Sequence, residues 1–511
     1  MKPQTYLIDT NILVGLEDNK EIDPAYAALS SSAASYGVKI FVHAAAKDDI
    51  ARDVDVVRRG ISLSKIEKFP VLEKVRNLDD DQLRQTYGPL NKPNDVVDAT
   101  LLHAVENGAV DFLVSEDKGL HKRARRRSSE LGRRVLYLAD AVELLKATYE
   151  PKESHVRYVE EVSAHTLQTS EPFFQSLRAD YPGFDAWWKT KCAREHRKCW
   201  IIDDGGIAAL VVRKDESEEE SPDNAPVQRV LKICTFKVLP ARRGVKLGEL
   251  LLKKILWFAQ ENKYDLVYLT VYEKQEALID LIEYFGFLHT RSLKDGEKVY
   301  EKRLSRDELV VPDGTDAYEA CRLQYPRFAR REGIRAFGVP IKEEYHDTLY
   351  PDLRLTRQLD IFEESDIGAG PRTPGNTIRK VYLCRAQSNL AAPGSILFFY
   401  KGRSDNDPSQ AITALGVLEE VAQARSPEEL LRLAGSRSVY SSAELKSFAP
   451  TKKKPIKVIN YLLMNYVKPS IGKDFLFEAG VFHGSPPQSI FEIQGTSLDL
   501  LLSEIHFNFE I

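Results

Sequence analysis

The sequence predicts a multidomain chain of mixed α/β and α+β class, ending in a β-rich unit. Three observations predict it. The chain has 511 residues, enough for three or four domains at about 150 residues each. Its N-terminal part alternates short apolar runs with helix-length segments, the pattern of a parallel α/β sandwich. Its C-terminal part carries β-type runs with few helices. Hydrophobic residues make up 43% and charged residues 29%, which excludes wholesale disorder and collagen-like or mucin-like repeats. The net charge is −4, so any nucleic-acid surface is a local patch. No apolar run approaches the roughly 20 residues that span a bilayer, so no membrane partner is expected. Met1–Asp9 lacks the long apolar stretch of a signal peptide. Five cysteines are odd in number and sparse, which argues against a disulfide framework and for a reducing cytoplasm.

Each element follows in order. In residues 1–150, strands are expected at Tyr6–Ile8, Val38–Val42, Asp111–Val114 and Val135–Leu138. Helices are expected at Ala44–Arg59, Asn94–Asn107, Leu120–Leu131 and Ala139–Tyr149, with Pro151 as the stop. In residues 151–306, the acidic run Asp215–Glu220 reads as a hairpin insertion and Trp187–Trp200 as helix-like. Strand Arg229–Val238, helix Gly248–Gln260, strand Leu266–Val271 and helix Ala277–Tyr284 follow. Residues 307–377 read as a connecting region. Residues 378–511 contribute strands at Val381–Cys384, Ile396–Tyr400, Ala414–Val421 and Lys457–Asn460.

Acidic residues recur at the carboxyl ends of the N-terminal strands, where open α/β sheets collect their sites. Asp9 ends the first strand, Asp49 lies early in the helix after the second strand, Asp95 and Asp98 are three apart on one helix, and Asp117 follows the third strand. Taken singly, each reads as a helix cap. As a set, clustered carboxylates need a cation, and hard oxygen ligands suit Mg²⁺ or Mn²⁺. Such ions activate water for phosphodiester cleavage. The runs Leu7–Asn11, Asp98–Leu102 and Val114–Asp117 resemble the PIN-domain nucleases over roughly Thr5–Tyr149. That resemblance implies a PIN-like α/β/α sandwich and metal-dependent RNA cleavage, often in toxin–antitoxin settings. Its catalytic acids would be Asp9, Asp49, Asp98 and Asp117, with Asp95 competing with Asp98 as third acid. The cationic helix segment holding Lys122, Arg123, Arg125, Arg126 and Arg127 abuts these acids. It reads equally as a phosphate-backbone contact or a solvated face.

In the central unit, the strand ending Val238-Leu239-Pro240 leads through Arg243-Gly244-Val245-Lys246-Leu247-Gly248 into a helix. A strand, a glycine turn and a helix N-terminus make an anion site suited to pyrophosphate. With the closing Gly286-Phe287, this order resembles the GNAT acetyltransferases over roughly Val156–Leu304. The resemblance implies that Arg243–Gly248 would cradle the pyrophosphate of acetyl-CoA and that Leu239 would sit beside the acetyl carbonyl. The family's central glycine is Lys246 here and its tyrosine acid is Ile282; Tyr272 and Tyr284 are substitutes that also read as packing residues. Leu231–Val238 holds no acid to serve as general base. Cys192, His196 and Cys199 could bind zinc but read first as a core stripe.

The entry Pro393–Lys401, the strand Ala414–Val421 and the turn Pro487-Gln488-Ser489 resemble the PUA-like superfamily in its ASCH and EVE members. That implies a small β-barrel binding RNA, with Tyr400 stacking on a base and Lys401, Arg403 and Lys452–Lys454 on phosphates. His346 has no assigned role. Together the three units predict a bifunctional RNA-directed enzyme: a ribonuclease fused to an acetyltransferase with an RNA-binding domain. Its partner would be RNA, such as tRNA or mRNA; the acetyl acceptor stays open, and an oligomer is compatible with the sequence. Two alternatives are a toxin-like nuclease regulated by an acyl-CoA-sensing unit, and a protein acetyltransferase with an inert nuclease fold.

Overall fold

The fold is that of a computed structural model, which describes residues 4–17, 24–72, 78–150, 158–216, 229–239, 246–330, 333–353, 372–374, 377–385, 390, 392–405, 407–434, 445 and 447–511. Two compact units are present. The first comprises Met1–Lys152 with Ala422–Val458; the second comprises Glu153–Leu239, Lys246–Val421 and Ile459–Ile511.

The first unit is built on a four-stranded parallel sheet, ordered Lys39–Phe41, Thr5–Ile8, Phe112–Val114 and Val135–Leu136. Alternate residues of its central strand feed two separate cores. Tyr6 and Ile8 pack with Ile12, Leu29, Phe112 and Leu145. Leu7 packs with Leu102, Leu113 and Leu120. Helices therefore cover both faces of the sheet, as a parallel sheet requires. Two expected helices are each broken in two. Ala44–Arg59 becomes Ala45–Ala51 and Val56–Ile66, because Asp53 and Asp55 accept the amides of Asp55 and Val57 between them. Leu120–Leu131 becomes Lys118–Arg127 and Ser129–Arg134, because Ser128 restarts the helix by capping the Leu131 amide at 3.1 Å.

The second unit holds two sheets. The larger has eight strands, ordered Leu288–Ser292, Lys298–Arg303, Leu266–Val271, Val230–Val238, Ile207–Glu216, Lys198–Asp203, Tyr158–Ser163 and Arg372–Pro374. Every pairing is antiparallel except that of Val230–Val238 with Leu266–Val271. Trp187–Trp200 is not one helix: a short helix and a wide helical turn end at Ala193, and Trp200 lies in the strand Lys198–Asp203. The acidic run is strand as far as Glu216, and its remainder lies outside the described residues.

The smaller sheet has six strands, ordered Arg379–Cys384, Ile456–Gly472, Ala411–Ala424, Ile396–Lys401, Ala336–Ile341 and Phe491–Ile493. Its first and last strands are not neighbours, so the described residues form an open sheet and not the expected closed barrel. The stretch read as a connecting region supplies strands to both sheets: Ala336–Ile341 to this one and Arg372–Pro374 to the larger.

Candidate functional site

The larger sheet opens in its middle. Val230–Ile233 pair in parallel with Leu266–Leu269, after which the first strand runs on to Val238 without its partner. Leu266–Val271 stays paired on its other side to Lys298–Arg303 throughout. The two parallel strands thus part beyond Ile233 and Leu269. Leu239, just past the first strand, donates its amide to Ala208 O at 2.9 Å, and its side chain is half-buried. That amide is engaged by the neighbouring strand.

Helix Leu247–Glu261 follows, and its sequence explains its burial. Leu250, Leu251, Ile255, Leu256 and Ala259 are core, and Glu249, Lys253 and Gln260 are buried too. Lys246 caps this helix in the left-handed region, at φ 61° and ψ 27°. Glycine adopts that conformation without cost, which accounts for the family's glycine at this position. The first-turn amides lack intrahelical partners, as at any helix start. A Cβ on Gly248 would meet Leu281 at 3.3 Å, with Phe236 and Val238 at 3.9 Å. Gly248 therefore lets the helix start close to both Val230–Val238 and the next helix, Glu276–Tyr284. Of the expected cradle, Lys246, Leu247 and Gly248 are placed, whereas Arg243, Gly244 and Val245 lie outside the described residues.

Ile282 is fully buried, so the position of the family's tyrosine is core. Tyr284 shares a hydroxyl contact of 3.0 Å with Tyr318 and has Arg322 over its ring at 4.4 Å. Tyr272 directly follows the strand Leu266–Val271 and packs on Tyr181, ring centres 5.3 Å apart. The Tyr181 hydroxyl donates to Glu297 at 3.0 Å, and Asp180 pairs with Lys274 at 2.5 Å. Burial raises the Tyr272 hydroxyl, and Glu297 and Asp295 raise it further. Glu297 and Asp295 thus lend these two tyrosines negative charge, while Lys274 offsets Asp180 and lies 5.8 Å from the Tyr272 ring centre. Cys192 and Cys199 are fully buried in an apolar cluster, and burial pushes the Cys192 thiol up to about 12. His196 meets His165 at 3.0 Å. These residues pack; they do not form a zinc site.

In the first unit, Asp9 and Asp117 stand at the ends of adjacent central strands, on the side where strand order reverses. Asp9 accepts Ser115 Oγ at 2.6 Å and Asn11 Nδ2 at 2.9 Å. Burial pushes Asp9 up to about 6; the charges of Asp117 and Asp49 add to this, against its hydrogen bonds from Ser115 and Thr10. Burial pushes Asp98 up to about 8, reinforced by Asp9 and Asp117 and opposed by Arg123. Asp49 pairs with Arg52 at 2.8 Å. Asp117 caps its helix, accepting Gly119 N at 2.5 Å and Leu120 N at 3.3 Å. Asp95 is spent structurally. It accepts the amides of Asn91 and Lys92 and pairs with Arg123 at 3.1 Å, and these contacts outweigh burial and lower its carboxyl. It is a cap and not a metal ligand. The remaining donors are hard carboxylate oxygens whose repulsion a divalent cation would relieve, so their chemistry fits Mg²⁺ or Mn²⁺. Among the described residues, however, no three His, Cys, Asp or Glu are placed to hold an ion together.

The expected nucleic-acid contacts divide. Arg126 is exposed, and Lys122 and Arg125 are half-buried. Arg123 instead ties down Tyr87 O and Pro89 O at 3.1 and 2.9 Å, and Arg127 pairs with Glu106 at 2.8 Å. Tyr400 and Lys401 are corrected. Their strand is interior to the six-stranded sheet and buried throughout. Tyr400 packs edge-on against Phe482, and Lys401 pairs with Asp347 at 3.1 Å and Glu343 at 3.8 Å. Both side chains are buried inside the protein. His346 is buried between Asp347 and Thr413, at 2.9 and 2.7 Å.

The parted strands, the helix start and the antiparallel surround define an acyltransferase fold. Residues 162–287 match the profile described as "Acetyltransferase (GNAT) family", so the chain contains a GNAT acetyltransferase domain. No curated protein matches the chain. Among solved structures, ASCH from Zymomonas mobilis is similar at 14% identity, over 34% of this chain and 96% of that one, with a TM-score of 0.24. Arabidopsis thaliana NAA60 in complex with a bisubstrate analogue is similar at 14%, over 25% and 88%, with a TM-score of 0.22. A GNAT-family acetyltransferase from Staphylococcus aureus is similar at 14%, over 29% and 99%, with a TM-score of 0.23. Among the described residues, no helix is long and apolar enough to cross a membrane.

Two residues that sequence reasoning missed are Glu249 and Arg379. The Arg379 amide donates to Glu249 Oε1 at 2.6 Å; its Nε and Nη2 reach Oε2 at 2.8 and 2.6 Å. A charge pair 130 positions apart leaves no local pattern. The signal available was a lone Glu among the apolar residues of the first turns, Leu247–Leu252.

Proposed function

We propose that the protein is an acetyl-CoA-dependent N-acetyltransferase whose acceptor is a cationic amine, on a polypeptide or a small molecule, and not RNA. The parting of Val230–Val238 from Leu266–Val271 beyond Ile233, beside the helix start at Lys246–Gly248, carries this reading. Acetyl-CoA would supply the activated thioester. The first-turn amides and the helix dipole would hold its pyrophosphate, and the gap between the strands would hold its pantetheine arm. The acceptor would enter beside Tyr181 and Tyr272. Asp295 and Glu297 there would attract an ammonium group and repel a phosphate backbone, whereas Asp180 is already paired with Lys274. In the reaction the ammonium first loses a proton to solvent; the neutral amine nitrogen then bonds to the acetyl carbon, the carbon–sulfur bond breaks, and a second proton from nitrogen passes to sulfur, so that CoA leaves as its thiol. The test supplies radiolabelled acetyl-CoA to the full chain, with basic peptides, polyamines and RNA as acceptors. Label in peptide or polyamine is expected; label in RNA alone refutes the acceptor assignment.

A second reading rests on a different observation: Asp9, Asp98 and Asp117 repel one another at the switch point of the parallel sheet. As placed, these three carboxylates do not hold an ion together; once drawn in by Mg²⁺ or Mn²⁺ they would ligate it, and the ion would supply an activated water for phosphodiester cleavage. Asn11 and Ser115 would orient Asp9. Ligation would require Asp117 to turn from its cap. Mn²⁺ binding by calorimetry, lost in Asp9→Asn, tests the site separately from RNA cleavage.

A further inference from the structure

We propose that Arg379, which lies beyond the acetyltransferase match, is a positioning residue of the acetyl-CoA site. It clamps and neutralises Glu249 in the first turn of the helix that would receive the cofactor's pyrophosphate. The inference rests on the acetyl-CoA reading above.

Glu249 is the third residue of helix Leu247–Glu261 and is only 3% exposed. A carboxylate at that position is favoured by the helix dipole. It also adds a negative charge to the turn whose amides would face an external anion. With its charge uncompensated, Glu249 would repel a pyrophosphate at Lys246–Gly248. Arg379 answers both of its oxygens, Oε1 through its amide and Oε2 through its guanidinium. Such a planar, two-point grip fixes orientation as well as charge.

The same guanidinium lies 5.0 Å from the ring centre of Tyr284, the last residue of helix Glu276–Tyr284. That helix packs Leu281 against Gly248. One side chain therefore holds the first turn of the cofactor helix and the last turn of the helix beside it. Burial works against the Arg379 charge, but Glu249 and Tyr284 outweigh it and keep the guanidinium cationic. Arg379 begins the strand Arg379–Cys384 at the edge of the six-stranded sheet. The acetyltransferase domain thus borrows a residue from the second sheet to make its anion site neutral.

The test is calorimetric titration of acetyl-CoA into the full chain. Four proteins are compared: wild type, Glu249→Gln, Arg379→Met, and the double variant. Freeing one charge near a partly buried anion is worth about ten- to a hundredfold in affinity. Arg379→Met should weaken binding by about that factor. Glu249→Gln should bind at least as tightly as wild type, and the double variant should recover to within about threefold. If Arg379 merely braced the fold, Glu249→Gln would also weaken binding and the double variant would not recover; either result overturns the proposal. Should Arg379→Met not fold, the double variant, which buries no lone charge, decides it: binding within about threefold of wild type supports the proposal, and lost binding overturns it. No binding by wild type would overturn the acetyl-CoA reading itself.

Discussion

Asp98→Asn should stabilise the first unit, and the gain should grow with pH. The Asp98 carboxyl stands at about 8 in the folded chain against 3.8 when free, pushed by burial and then by Asp9 and Asp117. The folded state therefore binds the extra proton between those limits. Stability falls as pH rises from about 4 to about 8, and the full penalty is present above that. Four units at 1.36 kcal/mol each set a ceiling of about 6 kcal/mol. Relaxation around a half-buried carboxylate reduces this to about 2–4 kcal/mol. The asparagine amide would carry no charge and escape the penalty. All four tryptophans, Trp187, Trp188, Trp200 and Trp257, lie in the second unit, so fluorescence does not report on the first. Amide exchange of Pro93–Glu106 and Phe112–Val114 does. At pH 4 the variant should exceed wild type by only about threefold in protection. At pH 8.5 its amides should exchange about 30- to 1,000-fold more slowly. Equal protection at pH 8.5 would refute the electrostatic account. Mn²⁺ should narrow the gap by protecting wild type alone; if it protects neither protein, the cation reading falls and the repulsion stands.

Two further predictions concern the second unit. Lys246→Gly removes a side chain from the left-handed region at φ 61° and should stabilise by about 0.5–1 kcal/mol, whereas Lys246→Val should destabilise; tryptophan fluorescence in urea reads both. Lys401→Ala leaves Asp347 and Glu343 facing an empty position, and should cost about 3–5 kcal/mol by the same assay. Any RNA affinity of the chain should be unchanged wherever that variant remains folded.

Periodicity and turn chemistry made much of the fold legible. The strand Leu266–Val271 begins and ends where its apolar run does. Helices Pro93–Glu106 and Leu247–Glu261 differ from the expected spans by one residue at either end. The helix breaks at Asp53–Asp55 and Ser128 were missed because short polar side chains that cap amides look, in a run of helix formers, like ordinary surface. The burial of Tyr400 and Lys401 was missed for another reason. The strand that covers them, Ala336–Ile341, comes from a stretch with no repeating apolar pattern, and a buried lysine is legible only once Asp347 is seen beside it. The carboxylates of the first unit stood out in the sequence because they recur at the same end of successive strands, although among the described residues no three are placed to hold an ion. Arg379 and Glu249 could not be found that way: long-range charge pairs leave no spacing to read.

The strand Arg372–Pro374 bears on how the acetyltransferase domain can be handled. It pairs with Tyr158–Glu160 and forms the last strand of the eight-stranded sheet. A fragment cut after Arg306, the boundary that sequence alone suggests, would lose it. The backbone amides and carbonyls of Tyr158–Ser163 would then form a bare margin, free to recruit the same strand from a second molecule. Excised domains should accordingly self-associate through that margin, while fragments extended through Pro374 should stay dispersed. The extension ends in proline, which has no amide hydrogen to offer a further strand.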